Sequence, residues 1–128
     1  MTNQEVAAEW SEKARHRFRD AELLFEHDSP ESAVNRLYYA ALAAVTAFLA
    51  GDAISIESHR AAVRLVGLHL VKPNRISAEQ GRLFKQLQEL RDAADYDGLP
   101  PIDARELEDL TERTRDFVDA VLGLLDTT

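Results

Sequence analysis

Cysteine is absent from the 128-residue sequence, which excludes a disulfide framework and any thiolate metal site. Histidine occurs four times, but no two histidines lie three or four residues apart on one predicted helix, so a zinc site is not expected. A glycine-rich phosphate loop, a Gly-x-Ser-x-Gly elbow and a His-Glu-x-x-His motif are also lacking. The common catalytic signatures are therefore missing, and the sequence predicts no metal and no cofactor.

Long apolar runs are scarce as well, since none approaches the roughly 18 residues that a membrane span needs. The start, Met-Thr-Asn-Gln-Glu, lacks the basic and apolar regions of a signal peptide. From these absences we expect a cytoplasmic protein with no membrane partner. A hydrophobic share of 45% is enough to bury a core, and residues 1–128 are predicted to form one domain.

The net charge of −8 is unevenly distributed along the chain. Residues 89–128 contain 12 acids and four basic residues, whereas residues 58–88 contain six basic residues and a single acid, Glu79. A basic segment of this size could hold a phosphate backbone, although a solvated helix face is the simpler interpretation.

Apolar residues recur with the helical period of 3.6 throughout, and no period-2 strand pattern is convincing, so the predicted fold class is all-α. Four long helices and one shorter helix, joined by short links, predict an antiparallel helical bundle. The boundary signals are Ser29-Pro30, the Pro73-Asn74 turn, and capping boxes beginning at Ser77 and Asp103. Gly98 is predicted to end the fourth helix in a left-handed conformation.

The end of the fourth helix carries three acids, Asp92, Asp95 and Asp97, where helix electrostatics disfavours them. Arg91 precedes Asp95 by four residues and so shares a helix face with it. Magnesium could in principle bind these acids, but solvated carboxylates are the simpler interpretation. A placement against the local electrostatics indicates a role other than helix stability.

The second helix places Asn35 on an otherwise apolar stripe, four residues before Tyr39. A buried amide without partners would cost about 1–3 kcal/mol, so Asn35 is expected to find hydrogen bonds. The structural alternative is that Asn35 satisfies a neighbouring helix end, while Tyr38 and Tyr39 are core aromatics with hydroxyls at the rim.

Taken together, Asn35-Arg36-x-x-Tyr39-Ala40 and Arg91-x-x-x-Asp95-Tyr96-Asp97 resemble the motifs of the HEPN superfamily, the "higher eukaryotes and prokaryotes nucleotide-binding" domains. The Ser58-His59 pair that opens a helix, and the final long helix, are also similar to small stand-alone prokaryotic members. The resemblance covers most of the chain and rests on the order and separation of the motifs.

The resemblance implies a homodimeric helical bundle with an interfacial cleft lined by the arginine and the polar residue of the second helix. It implies nucleotide or RNA binding by the matching positions, which are Asn35, Arg36, Tyr39, Arg91 and Tyr96. Many members are metal-independent ribonucleases that use an arginine followed a few residues later by a histidine. Here no histidine follows His69, so Arg91 and Asp95 are the candidate catalytic pair and cleavage stays open.

Related two-gene systems pair such a domain with a small nucleotidyltransferase, which in some cases adds nucleotides to a tyrosine beside the motif. Tyr96 is the matching candidate for such a modification. The first hypothesis is therefore a nucleotide- or RNA-binding component of a toxin-antitoxin or defence pair. The alternatives are a metal-independent endoribonuclease with an atypical site, and a protein-interaction module without a nucleic-acid role.

Overall fold

The computed structural model describes residues 1–26, 30–96, 98 and 102–127, without the side chains of residues 24–26, 95, 96, 126 and 127. Within these residues the chain forms five α-helices. They are α1 (Asn3–Glu26), α2 (Pro30–Ala50), α3 (His59–Val66), α4 (Ala78–Tyr96) and α5 (Ala104–Gly123). The predicted all-α fold class is confirmed. The predicted cap at Ser29 lies outside the described residues.

Side-chain caps begin two of the helices where the sequence predicts them. Ser77 Oγ accepts a hydrogen bond from the Gln80 amide at 3.1 Å, and the Ser77 amide donates to Gln80 Oε1 at 3.0 Å, so the capping box is reciprocal. Asp103 Oδ1 accepts from the Glu106 amide at 2.8 Å. Such caps satisfy amides that the first helical turn leaves unpaired.

The third helix differs from its predicted form because it changes geometry at Gly67. Residues Gly67–Val71 form a π-helical turn, in which the Lys72 amide donates to the Gly67 carbonyl at 2.9 Å. The predicted Pro73-Asn74 turn follows, and Asn74 adopts a φ of 63°. Gly98 also has the predicted left-handed conformation, with a φ of 79°.

Helix α2 is the central element, packed against the other four helices. Twelve of its 21 residues are buried. Six of them are alanines, and the other six are Val34, Leu37, Tyr38, Val45, Phe48 and Leu49. By length and composition α2 could cross a membrane, so the expectation of no span-length apolar segment is wrong for this helix. Its apolar character has a structural explanation, because 67% of the apolar window is buried inside the bundle.

An aromatic stack joins three helices beneath the candidate site. The Tyr38 and Phe84 ring centroids lie 5.9 Å apart, and those of Phe84 and Phe117 lie 5.7 Å apart. All three residues are fully buried, so the stack fixes α2, α4 and α5 relative to one another. Tyr38 is therefore a rigid base for the residues above it.

Candidate functional site

Arg91 on α4 lies against two adjacent tyrosines of α2. Its guanidinium carbon is 5.6 Å from the Tyr39 ring centroid and 5.7 Å from the Tyr38 ring centroid. The two rings pack edge to face, with centroids 5.2 Å apart, and the Arg91 guanidinium lies beside both of them. The Arg91 side chain keeps 17% of its surface exposed, and cation–π attraction favours this position.

His59, the first residue of α3, completes the group. A hydrogen bond of 2.5 Å joins its Nδ1 to the Tyr38 hydroxyl, and its ring lies 6.3 Å from that of Tyr39. Ser58 caps α3 by accepting from the Ala61 amide at 3.0 Å, which fixes where His59 emerges. We call Arg91, Tyr38, Tyr39 and His59 the arginine–tyrosine cluster.

The Tyr38 phenol is chemically unusual within this cluster. Burial raises the pKa of Tyr38 to about 12, although the nearby Arg91 guanidinium favours the phenolate and opposes the shift. Tyr38 therefore stays protonated at neutral pH, and its hydroxyl can donate to or accept from the imidazole. A hydrogen bond to Nδ1 orients the ring and directs Nε2 away from Tyr38.

The predicted binding residues on α2 lie beside this cluster. Asn35 is half-buried, one turn before Tyr38 and Tyr39 on the same helix face. Its amide makes no hydrogen bond within the described part of the chain and its partial exposure lets water solvate it, so the expectation that Asn35 finds hydrogen bonds stays a prediction. Arg36 is exposed beside it.

The acids at the end of α4 are only partly described. Asp92 is half-exposed and accepts a hydrogen bond from Arg91 Nη1 at 3.1 Å. Asp95 and Tyr96 belong to α4, but their side chains, and the whole of Asp97, lie outside the described residues. The predicted roles of Asp95 in catalysis and of Tyr96 in binding or modification stay predictions.

Sequence reasoning missed two residues that the fold brings to Tyr39. The sequence marks His59 only as the opening of a helix, and Arg17 belongs to no motif. The Arg17 guanidinium carbon lies 6.0 Å from the Tyr39 ring centroid. Both contacts join residues far apart in the sequence, so no local spacing signals them.

The chemistry of the site suits an anion. Among the described residues, no group of three histidine, cysteine, aspartate or glutamate side chains could hold a metal ion. The cluster instead combines a guanidinium, two phenols and an imidazole, which are donors or cations.

The six basic residues of the 58–88 segment are all exposed. Their exposure agrees both with a surface that binds a phosphate backbone and with a solvated helix face.

Fold and site together define a small helical bundle with a guanidinium, tyrosine and imidazole site between its second, third and fourth helices. The HEPN domain family matches residues 7–124 of the chain. This match covers most of the sequence, and the chain belongs to the HEPN domain family.

Three relatives align along most of their own length. A Thermotoga maritima protein named "UPF0332 protein" is 29% identical over 117 residues, which cover 91% of this chain and 89% of that protein. The Methanocaldococcus jannaschii protein named "Putative toxin MJ0605" is 29% identical over 86% of this chain and 81% of its own length. A second protein of that organism, "Putative toxin MJ0142", is 26% identical over 84% of this chain and 74% of its own length.

Proposed function

We propose that the chain binds a phosphate group of RNA or of a nucleotide at the arginine–tyrosine cluster. The observation that carries the proposal is the Arg91 guanidinium, which lies within 6 Å of two ring centroids and is still 17% exposed. A guanidinium ordered by aromatic rings loses less freedom on binding, and its planar fork matches a phosphate bidentately. Arg91 is therefore the anchor of the proposed site.

Two further features support an anion at this position. Asn35 lies on the same face of α2 as Tyr38 and Tyr39 and is half-buried, so its amide can donate a hydrogen bond to a phosphate oxygen. The exposed Arg36, next to Asn35 in the chain, adds a positive charge, and the partial burial of Arg91 strengthens the electrostatic interaction of its guanidinium with an anion.

Replacement of Arg91 tests this proposal. Arg91→Ala is expected to weaken binding of a fluorescently labelled single-stranded RNA roughly ten- to hundredfold, because a hydrogen-bonded charged group is lost. Arg91→Lys keeps the charge but loses the fork, so an intermediate affinity is expected. Arg113→Ala is the matched control, since Arg113 is half-exposed on α5 and pairs with Asp109 at 2.9 Å. Equal affinities for the Arg91→Ala and Arg113→Ala proteins would remove Arg91 from the site.

The names of two relatives support a biological role. We propose that the chain is the toxin of a toxin-antitoxin or defence pair, because two relatives are named putative toxins. We also propose that it acts as a homodimer and that a nucleotidyltransferase is its partner, as the resemblance implies. Expression of the chain alone is expected to slow bacterial growth, and co-expression of the proposed nucleotidyltransferase partner is expected to restore it. Growth inhibition that survives Arg91→Ala would separate toxicity from the proposed site.

His59 favours a second candidate function, RNA cleavage without a metal ion. The sequence offers no histidine after Arg91, but the fold brings this imidazole to the same two tyrosine rings that Arg91 contacts. His59 Nε2 would accept the proton of a ribose 2′-hydroxyl while its oxygen bonds to the phosphorus held by Arg91. The bond from phosphorus to the 5′-oxygen then breaks, and that oxygen takes a proton from the imidazolium, leaving a 2′,3′-cyclic phosphate and a 5′-hydroxyl.

The products and one conservative variant test this candidate. Incubation with RNA in chelator should yield 2′,3′-cyclic phosphate ends, and their absence at saturating RNA would contradict cleavage. His59→Asn keeps a hydrogen-bonding group near the Tyr38 hydroxyl but cannot titrate, so it should bind RNA and not cleave it. Cleavage retained by His59→Asn would remove the imidazole from the reaction.

A further inference from the structure

A row of alternating rings and cations extends from the arginine–tyrosine cluster onto α1. The Arg17 guanidinium carbon lies 6.0 Å from the Tyr39 ring centroid and 5.7 Å from that of Trp10. Lys13 Nζ lies 4.3 Å from the Trp10 ring centroid at the outer end. We call Trp10, Lys13, Arg17 and Tyr39 the α1 row; Arg91 adjoins it at Tyr39.

The α1 row is accessible. Trp10, Arg17 and Tyr39 are half-buried and Lys13 is exposed. Within the described residues neither Lys13 nor Arg17 forms an ion pair with a carboxylate. Their charges face aromatic rings, and so they are available to a ligand that carries negative charge.

Two other charged residues of α1 pair with α5. Arg15 pairs with Asp119 of α5 at 3.3 Å, and Glu22 of α1 accepts a hydrogen bond from Arg115 of α5 at 2.7 Å. These pairs join α1 to α5 and leave the side of α1 that faces Tyr39 with its two cations. The basic residues of α1 therefore serve two surfaces, which their alternation in the sequence does not reveal.

Alternating rings and cations are the features by which proteins bind single-stranded nucleic acid, because bases stack on the rings while cations follow the phosphates. A duplex keeps its base faces inside, and a mononucleotide has one base and one phosphate group, whereas the row with the adjoining Arg91 offers two rings and three cations. Only an extended single strand can use the whole row. A base that replaces Lys13 on the Trp10 ring also frees the ammonium group for a phosphate.

We propose that Trp10 is a base-stacking subsite for single-stranded RNA, which continues from the phosphate on Arg91 along α1 with Arg17 contacting the intervening backbone. This inference rests on the proposed phosphate site and names its ligand as an extended single strand. It assigns a binding role to helix α1 in addition to its ion pairs with α5 through Arg15 and Glu22.

The intrinsic fluorescence of the protein tests the subsite, because Trp10 is its only tryptophan. Titration with single-stranded oligoadenylates of increasing length should quench Trp10 emission once the strand reaches from Arg91 to Trp10. Adenosine monophosphate and a duplex of matched length should leave the emission unchanged. If labelled oligoadenylate binds by anisotropy and the emission does not change, the subsite is wrong and the phosphate site stands.

Matched variants separate the subsite from the phosphate site. Trp10→Ala should weaken binding of the long strand roughly five- to hundredfold, whereas Trp10→Phe keeps a stacking ring and should lose much less. Neither should change binding of adenosine monophosphate, which Arg91→Ala should weaken. Arg17→Ala should act like Trp10→Ala, with Arg15→Ala as the control on the α5 side.

Three results would overturn the Trp10 subsite, and one of them would also overturn the phosphate site at Arg91. Equal affinities of the parent and the Trp10→Ala protein for the long strand would remove the subsite alone. An Arg91→Ala protein with unchanged affinity for every ligand would remove the phosphate site and the inference with it. Trp10 emission that shifts on dilution of the protein without RNA would assign this surface to a second copy of the chain.

Discussion

Replacement of the buried Tyr38 by phenylalanine is predicted to lower the free energy of unfolding relative to the parent at neutral pH and to raise it relative to the parent at high pH. At neutral pH, Tyr38→Phe removes the hydrogen bond to His59, which should lower the free energy of unfolding by about 1 kcal/mol. His59 is half-buried, so water can solvate its Nδ1 in the variant. The variant is therefore expected to fold with a modest loss of stability.

At high pH the parent loses stability because Tyr38 ionises, whereas the Tyr38→Phe variant has no phenol at this position and does not lose that stability. The pKa of Tyr38 is raised from 10.0 to about 12 in the folded state, so the unfolded chain ionises first. The stability contributed by the protonated phenol is complete below the unfolded pKa and is lost as the pH rises toward the folded pKa. The loss is about 1.4 kcal/mol at one pH unit above the unfolded pKa and about 2.7 kcal/mol in total.

One pH unit above the unfolded pKa, the parent has lost about 1.4 kcal/mol through ionisation of Tyr38, which exceeds the roughly 1 kcal/mol that the variant loses with the hydrogen bond. The plots of unfolding free energy against pH for the parent and for Tyr38→Phe should therefore cross near the middle of the interval between the unfolded and folded pKa of Tyr38. Urea unfolding of the parent and of Tyr38→Phe, from neutral pH into this range, measures both curves. Val45→Ala is the control, since Val45 is fully buried on the same helix and its loss removes no titratable group. A Tyr38→Phe effect that stays constant with pH, as for Val45→Ala, would refute the account of a phenol held in an apolar environment.

Three further stability predictions can be checked by thermal or urea unfolding. Gly81→Ala should destabilise, because its Cβ would lie 2.6 Å from Cγ2 of the stiff Val71 side chain, and a gain in stability would contradict this packing. Gly67→Ala, with no atom within 4 Å and a helical φ of −60°, should instead stabilise by up to about 1 kcal/mol. Asp103→Ala should cost about 1 kcal/mol by uncapping α5, while Asp103→Asn should cost much less; equal losses would argue against capping.

Much of the fold follows from local sequence signals. The reciprocal bonds of Ser77 and Gln80, and the cap at Asp103, depend only on residues three apart, so their spacing is enough to predict them. The π-helical turn at Gly67–Val71 was not predicted, because the apolar spacing of an α-helix and of such a turn differ little over five residues.

The candidate site was only half predictable, because its contacts are long-range. Arg91 and Tyr39 were identified from their motifs, and the structure brings them together. His59 and Arg17 join them through the packing of α3 and α1 against α2, and no periodicity in the sequence specifies which residues then meet. Tyr38 shows the same limit, since its spacing predicts a core aromatic but not the imidazole at its hydroxyl.

Arg91 is the residue proposed to contact the phosphate, and the proposed function depends most on it. The most direct measurement is the nuclear magnetic resonance signal of the Arg91 Nε–H group during titration of the protein with single-stranded RNA. Binding of the phosphate by Arg91 predicts that this signal moves with the same concentration dependence as the binding measured by anisotropy, while the corresponding signal of Arg113 stays in place. An Arg91 signal that is unchanged at saturating RNA would contradict it.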